Sequence, residues 1–367
     1  MLPSYIIWNA RPQLIDFGNF EIRYYSLLFA LGFVVGYIIL ANIFRKKGLS
    51  PDIIDKLTVY MVLSTIIGAR LGHCLFYEFD YYIQHPLEIF LPWQGTPGSA
   101  DFRFTGFQGL ASHGAAVGIL IGIYLFSRRT KLSYLWTMDM IVIVTALAGS
   151  MIRTGNLMNS EIYGRPTNSK YGFIYVRDFT NIVERQYGSE IEDISYSKIK
   201  DGEALGSFVP IEMKVRFKRN TSEQYAAAFG ENVLPEFLDR YDLDNNVQAS
   251  GDSIAYNVER NIRGPVLKYS MLGNPRHPSQ VYEALAYLLI FLILMYAYFK
   301  YGDRLQAGFI FGMFLALVFL ARFFIEFIKE NQEAFESQMT LNMGQILSIP
   351  FIAIGIILII WRYPKKA

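Results

Sequence analysis

The chain has 367 residues, 52% of them hydrophobic and 16% aromatic, and a formal net charge of +2. With a mean hydropathy of +0.24, that composition excludes an ordinary soluble enzyme and points to a polytopic membrane protein. So small a net charge gives no reason to expect a nucleic-acid partner.

Seven stretches are long enough to cross roughly 30 Å of hydrocarbon as helices. Residues 24–44 carry no Asp, Glu, Lys or Arg, residues 57–77 are interrupted by Arg70 and His73, and residues 104–127 are again uncharged. The fourth stretch, 132–153, holds Asp139, and the fifth, 279–299, holds Glu283. The sixth, 305–328, holds Arg322 and Glu326, and the last, 341–361, holds no charge. The one cysteine, Cys74, excludes an internal disulfide, and within the second stretch its expected role is to pack. The first 23 residues lack the basic-then-apolar pattern of a cleavable leader.

Loop charges orient the set. Twelve Lys and Arg residues flank it on one side (Arg45, Lys46, Lys47, Lys56, Arg128, Arg129, Lys131, Lys300, Arg304, Arg362, Lys365, Lys366), against four on the other (Arg11, Arg23, Arg103, Lys329). The C-terminus is therefore expected in the cytoplasm and the N-terminus outside.

Residues 165–276 form the one large polar segment, with 15 Lys/Arg against 16 Asp/Glu. Ile211, Met213, Val215 and Phe217 alternate there with Glu212, Lys214, Arg216 and Lys218, the period of a half-buried strand. Residues 171–176 predict a second strand and 222–229 a short helix. The expected fold is an all-α polytopic membrane protein, with seven transmembrane helices and a small α+β extracytoplasmic head. Its expected divisions are 1–164 (spans 1–4), 165–276 (the head) and 277–367 (spans 5–7 and a cytoplasmic tail).

Four polar clusters interrupt the apolar pattern. Arg153, Gly155, Asn156, Asn159, Glu161 and Gly164 follow the fourth span. A guanidinium there is costly unless it meets a counter-charge, a water-filled cavity or an anionic ligand. The glycines and asparagines supply bendable backbone and neutral hydrogen-bonding groups, so the cluster reads as a polar pocket facing an anion. The third span carries His113 in a glycine-rich run (Gly106, Gly109, Gly114, Gly118, Gly122), a composition that allows close helix packing. The fifth opens on His277, Pro278, Ser279, Gln280, Tyr282 and Glu283, with proline where a first helical turn accepts it. In the sixth, Arg322 and Glu326 stand at i,i+4 on one helix face.

These clusters resemble the bacterial phosphatidylglycerol–prolipoprotein diacylglyceryl transferase family. Its signature, Arg-x-Gly-Asn-x-x-Asn-x-Glu-x-x-Gly, is met by residues 153–164. The motifs at 277–283 and 322–327, Gly344 with Gln345, Tyr25, Gly68 to Arg70, and His113 with Gly114 agree in order across all seven spans. Two features depart. The head is longer than is usual, so that about 180–265 looks like an insertion. Position 329 is Lys where arginine is common, which keeps the charge and loses the bidentate fork.

The resemblance implies transfer of the diacylglyceryl group from phosphatidylglycerol to the lipobox cysteine of a prolipoprotein. A thioether forms and glycerol-1-phosphate leaves, the first step of lipoprotein maturation, at a bacterial cytoplasmic (inner) membrane. The implied partners are phosphatidylglycerol, prolipoprotein signal peptides and membrane lipids, with no cofactor and no metal.

The residue types suit that chemistry. Arginines in a low-dielectric pocket bind phosphate and stabilise growing negative charge, and a histidine or carboxylate can take the thiol proton. Arg153 and Arg322 are assigned to the lipid phosphate. The competing readings are interfacial snorkelling for Arg153 and an internal salt bridge to Glu326 for Arg322; Glu326 would orient that guanidinium. His113 is the candidate base, against a packed interior hydrogen-bonder. Tyr25, Asn156, Asn159, Glu161, Gly164, His277, Gln280 and Glu283 complete the candidate lipid-binding set. Their alternatives are an interfacial tyrosine, helix-end capping by the asparagines, a helix start at His277, and a tie from Gln280 and Glu283 to span 4. Arg70 is expected to face the bundle interior, and Asp139 has no assignment. A transporter or channel is the alternative function, since intramembrane charges also mark ion paths, but no interrupted spans in matching halves favour it. A retinal-type receptor would need a lysine that 341–361 lacks.

Overall fold

Hydrocarbon offers no partners to backbone N–H and C=O groups, so apolar runs satisfy them internally as helices. The computed structural model describes residues 5–17, 21–91, 93–95, 98–99, 102–104, 109–169, 171–199, 205–241, 245–250, 256–302, 304–331 and 334–363. Each expected span holds a long helix: α1 (Tyr24–Lys46), α2 (Pro51–Phe76), α3 (Ser112–Thr130), α4 (Tyr134–Met158), α5 (Ser279–Tyr301), α6 (Phe309–Ile325) and α7 (Met343–Trp361). Five of them, α1, α2, α4, α5 and α7, are long and apolar enough to cross a membrane, and α6 is a shorter apolar helix. That composition fits a multi-pass membrane protein.

Two boundaries move. The third helix begins at Ser112 rather than near 104, because Ala111 is extended and its N–H donates to the Ala69 carbonyl at 3.0 Å. Residues 105–108 of that expected span, Gly106 included, lie outside the described residues. The sixth helix stops at Ile325, freeing the Ile328 carbonyl to accept the Arg165 N–H at 2.8 Å.

The chain divides into two compact units, residues 1–31, 149–289 and 318–352, and residues 32–148, 290–317 and 353–367. In the second, α2 and α3 meet backbone to backbone. A Cβ on Gly72 would lie 2.6 Å from Gly114 Cα, and one on Gly68 2.8 Å from Gly118 Cα. Paired small residues at i,i+4 on both helices thus permit an approach that any larger side chain would block. Arg70, buried, donates to the carbonyls of Ile89 (3.0 Å) and Glu88 (2.8 Å) and lies 4.9 Å from the Tyr82 ring, so it clips down the segment after α2. Cys74 is buried and free, as expected.

Asp139, without a role in the sequence, has one here. Its buried carboxylate accepts the N–H groups of Gly308 and Phe311, each at 2.7 Å, and so caps α6 from α4. Asp139→Ala would strand those donors at a cost of about 1–2 kcal/mol. The expected result is a lower unfolding temperature of the solubilised protein, with Asp139→Asn falling between the two.

The polar segment folds in the first unit as an α+β structure. Its strands are β1 (Ile191–Lys198), β2 (Val209–Phe217), β3 (Val247–Ala249), β4 (Tyr256–Asn261) and β5 (Gly264–Gly273). They form an antiparallel sheet in the order β4-β5-β2-β1, with β3 also on β5. The expected alternation holds: Ile211, Met213, Val215 and Phe217 are fully buried and join Phe179 and Val183 of helix Arg177–Tyr187 in one apolar core. The predicted short helix is Glu223–Ala228, where the Ser222 hydroxyl accepts the Tyr225 N–H at 3.1 Å.

This core also takes in Tyr5, Ile174, Leu267, Tyr269 and Met271, so it runs past both ends of the stretch 180–265. Strand Ile6–Trp8 pairs in parallel with Phe173–Tyr175. Residues 5–8 therefore fold with the polar segment.

Candidate active site

Helix α4 ends in a turn that the backbone adopts at a cost. Ser160 and Ile162 have φ of 55° and 59°, a region that side chains, branched ones above all, disfavour. The fifth-span motif holds the turn in place. The Ser279 hydroxyl donates to the Ile162 carbonyl at 2.7 Å, and the Gln280 amide to the Glu161 carbonyl at 2.6 Å. Gln280 is fully buried, and its Oε1 accepts the Tyr175 hydroxyl at 3.1 Å, so it acts as the tie rather than as a surface for lipid. His277 is part of the same clamp, its carbonyl accepting the Gly164 N–H at 2.8 Å; burial holds its imidazole below the usual histidine range. Glycine is required at 164, where a Cβ would come 2.5 Å from the Ile328 carbonyl oxygen and 2.8 Å from His277 Cβ. Tyr25 packs on the backbone of Gly155, where a Cβ would lie 2.8 Å from its ring.

The turn carries a chain of polar contacts. Arg153 Nη1 donates to Asn156 Oδ1 at 3.2 Å. Asn156 Nδ2 donates to Glu161 Oε1 at 2.7 Å, and Asn159 Nδ2 reaches the same oxygen at 3.2 Å. Arg153 Nε lies 2.9 Å from Glu283 Oε2, a carboxylate only 1% exposed. Tyr287 is within charge range of Glu283, Arg153 and Arg322 together. Both arginines of the sequence argument thus lie within charge range of one residue, Tyr287.

Arg322 is not paired as i,i+4 spacing predicted. The Glu326 N–H still donates to the Arg322 carbonyl at 2.9 Å, but the Glu326 carboxylate turns aside and lies 3.9 Å from Lys329 instead. A Cβ on Gly344 would come 2.5 Å from Glu326 Oε1, which explains the glycine at the start of α7. Asn342 and Gln345 cap that start reciprocally, through bonds of 2.9 and 3.0 Å. Among the described residues Arg322 has neither an ion pair nor a hydrogen bond from its side chain, so its guanidinium is left for another anion.

Sequence reasoning missed two members. Lys329, counted as a loop charge, is 3% exposed and lies 3.6 Å from Glu283. The signal was its place three residues after Glu326, a spacing that brings side chains together on a turn. Tyr287 stands four residues after Glu283 on α5, and so on the same helix face. Tyr25, Arg153, Asn156, Asn159, Glu161, Gly164, His277, Gln280, Glu283, Arg322 and Glu326 all belong to the first unit. His113 belongs to the second, where with Ser64, Gly68 and Gly114 it lines an apolar cavity of about 760 Å³ along α2 and α3.

Residues 12–361 match the family model described as prolipoprotein diacylglyceryl transferase. The chain belongs to that family. It is 33% identical to the phosphatidylglycerol–prolipoprotein diacylglyceryl transferase of Bacteroides fragilis, over 99% of this chain and 97% of that one. The same-named protein of Porphyromonas gingivalis is 34% identical over 98% and 95% of the two chains. That of Tolumonas auensis is 32% identical over 99% of each. Membership in a transferase family favours the enzyme reading over the transporter.

Proposed function

We propose that this protein transfers the diacylglyceryl group of phosphatidylglycerol to the lipobox cysteine thiol of a prolipoprotein. The sulfur bonds to a glycerol carbon while that carbon's bond to the phosphate oxygen breaks. The electron pair leaves on phosphate, and the thiol proton passes to a base. The observation that carries the reading is the arginine pair within charge range of Tyr287, in which Arg153 is steered by Glu283 and Arg322 has no ion-pair partner among the described residues. Two guanidiniums hold the phosphate and stabilise the charge that collects on it, each worth roughly 10²–10³ in rate at a low-dielectric site.

Seven helices span the bacterial inner membrane in this reading. The N-terminus and polar head lie on the outer side, where prolipoproteins emerge, and the tail lies in the cytoplasm. His113 is the base. His113→Asn is then expected to slow transfer by about 10² and to change the pH profile of the rate; an unchanged profile would leave His113 a packing residue.

The direct test incubates purified protein with phosphatidylglycerol vesicles and a lipobox peptide and weighs the peptide by mass spectrometry. The expected product carries one diacylglyceryl group per cysteine, with glycerol phosphate released in equal amount. An unmodified peptide would overturn the assignment.

A further inference from the structure

The turn after α4 is held by more than the fifth-span motif. Ser160 and Ile162 sit there at positive φ, a conformation that persists only where the surroundings over-determine it. Part of that support comes from the polar segment and the strand paired with it. The Trp8 indole N–H donates to the Leu157 carbonyl at 3.0 Å, just before the turn. Tyr175, on the partner strand Phe173–Tyr175, donates its hydroxyl to Gln280, whose amide holds the Glu161 carbonyl.

A third support starts much farther along the chain. Tyr163, 8% exposed, stacks on the Tyr175 ring with centroids 4.8 Å apart, and the Arg276 guanidinium lies 5.0 Å from its centre. Its hydroxyl oxygen accepts the Asn246 amide at 2.8 Å in a buried bond. Asn246 is itself pinned to the sheet. Its carbonyl accepts the Asn274 N–H at 2.9 Å, and the next residue, Val247 of β3, pairs with Gly273 of β5. Stacking alone would let the Tyr163 ring slide, whereas a bond to a fixed amide sets where it stops. Two positions before Tyr163 stands Glu161, which takes the amides of Asn156 and Asn159 and through Asn156 meets Arg153.

We infer that Asn246 and Tyr163 are positioning residues for the transfer: through them the sheet holds the turn in the geometry that aligns Glu161 and Arg153. The inference rests on the transferase reading above and gives the stretch 180–265, to which Asn246 belongs, a part in the reaction.

The test measures steady-state transfer from phosphatidylglycerol vesicles to a lipobox peptide, on variants that thermal unfolding shows to be folded. A misplacement of about 1 Å can cost about 10² in rate. Asn246→Ala and Tyr163→Phe are each expected to lower kcat about tenfold, with KM for phosphatidylglycerol within about twofold of the parent's, the mark of an interaction that matters in the transition state. Because the two act through one bond, the double variant is expected to be no slower than the slower single one. Tyr175→Phe, which removes only the hydroxyl on Gln280, is expected to lower kcat in the same way, and it serves if Asn246→Ala does not fold. Folded variants that keep the parent's kcat, whatever their unfolding temperature, would reduce these residues to packing and overturn the proposal, as would losses that multiply in the double variant. A parent protein that transfers nothing would overturn the transferase reading, and this role with it.

Discussion

Arg153→Ala is expected to lower diacylglyceryl transfer by about 10³ while the protein remains folded. The guanidinium touches Glu283 and Asn156 at once, so its removal takes away both a proposed phosphate ligand and the group that aligns the signature turn. Folding survives because Glu283 keeps a second cation, Lys329, at 3.6 Å, and Glu161 keeps the Asn159 amide at 3.2 Å. Arg153→Lys is expected to fall between, since a point charge replaces a planar fork. Initial rates by mass spectrometry, read beside thermal unfolding, check both variants. A folded alanine variant with near-normal transfer would remove Arg153 from the chemistry.

Apolar runs were enough to place the seven long helices described above, because a helix is the one local answer to a long uncharged stretch in lipid. The strand at Val209–Phe217 was equally legible, since alternation of that length admits no helical face. What the sequence left open depended on contacts between distant segments. Nothing local shows that Ile6–Trp8 pairs with Phe173–Tyr175, or that Asp139 caps a helix 170 positions on, near Gly308 and Phe311. The clearest miss was Glu326. Its N–H keeps the helical bond to the Arg322 carbonyl at 2.9 Å, yet i,i+4 spacing does not fix where a carboxylate turns, and residues 328–329, paired with 164–165, bring Lys329 within reach of it. The ion pair then passes to Lys329, and Arg322 is left without an ion-pair partner among the described residues.

That rearrangement makes Glu283 the residue whose loss is expected to matter most for stability. Its carboxylate, 1% exposed, stands 2.9 Å from Arg153 through one oxygen and 3.6 Å from Lys329 through the other. Removing one member of a buried ion pair costs about 3–5 kcal/mol, because the stranded charge cannot be solvated. Glu283→Ala strands two cations rather than one, with Glu326 at 3.9 Å remaining for Lys329 alone. The alanine variant is therefore expected to unfold at a markedly lower temperature, or to fail to accumulate in the membrane. Glu283→Gln preserves shape and hydrogen-bonding oxygen but not charge. It is expected to fold better than the alanine variant yet transfer slowly, because Arg153 loses the anion that aims it. Thermal unfolding of the solubilised variants separates the two effects from rates measured on the same preparations. If the alanine variant proved as stable as the parent, with its arginine still aligned, the buried carboxylate would not be the counter-charge on which this pocket is built.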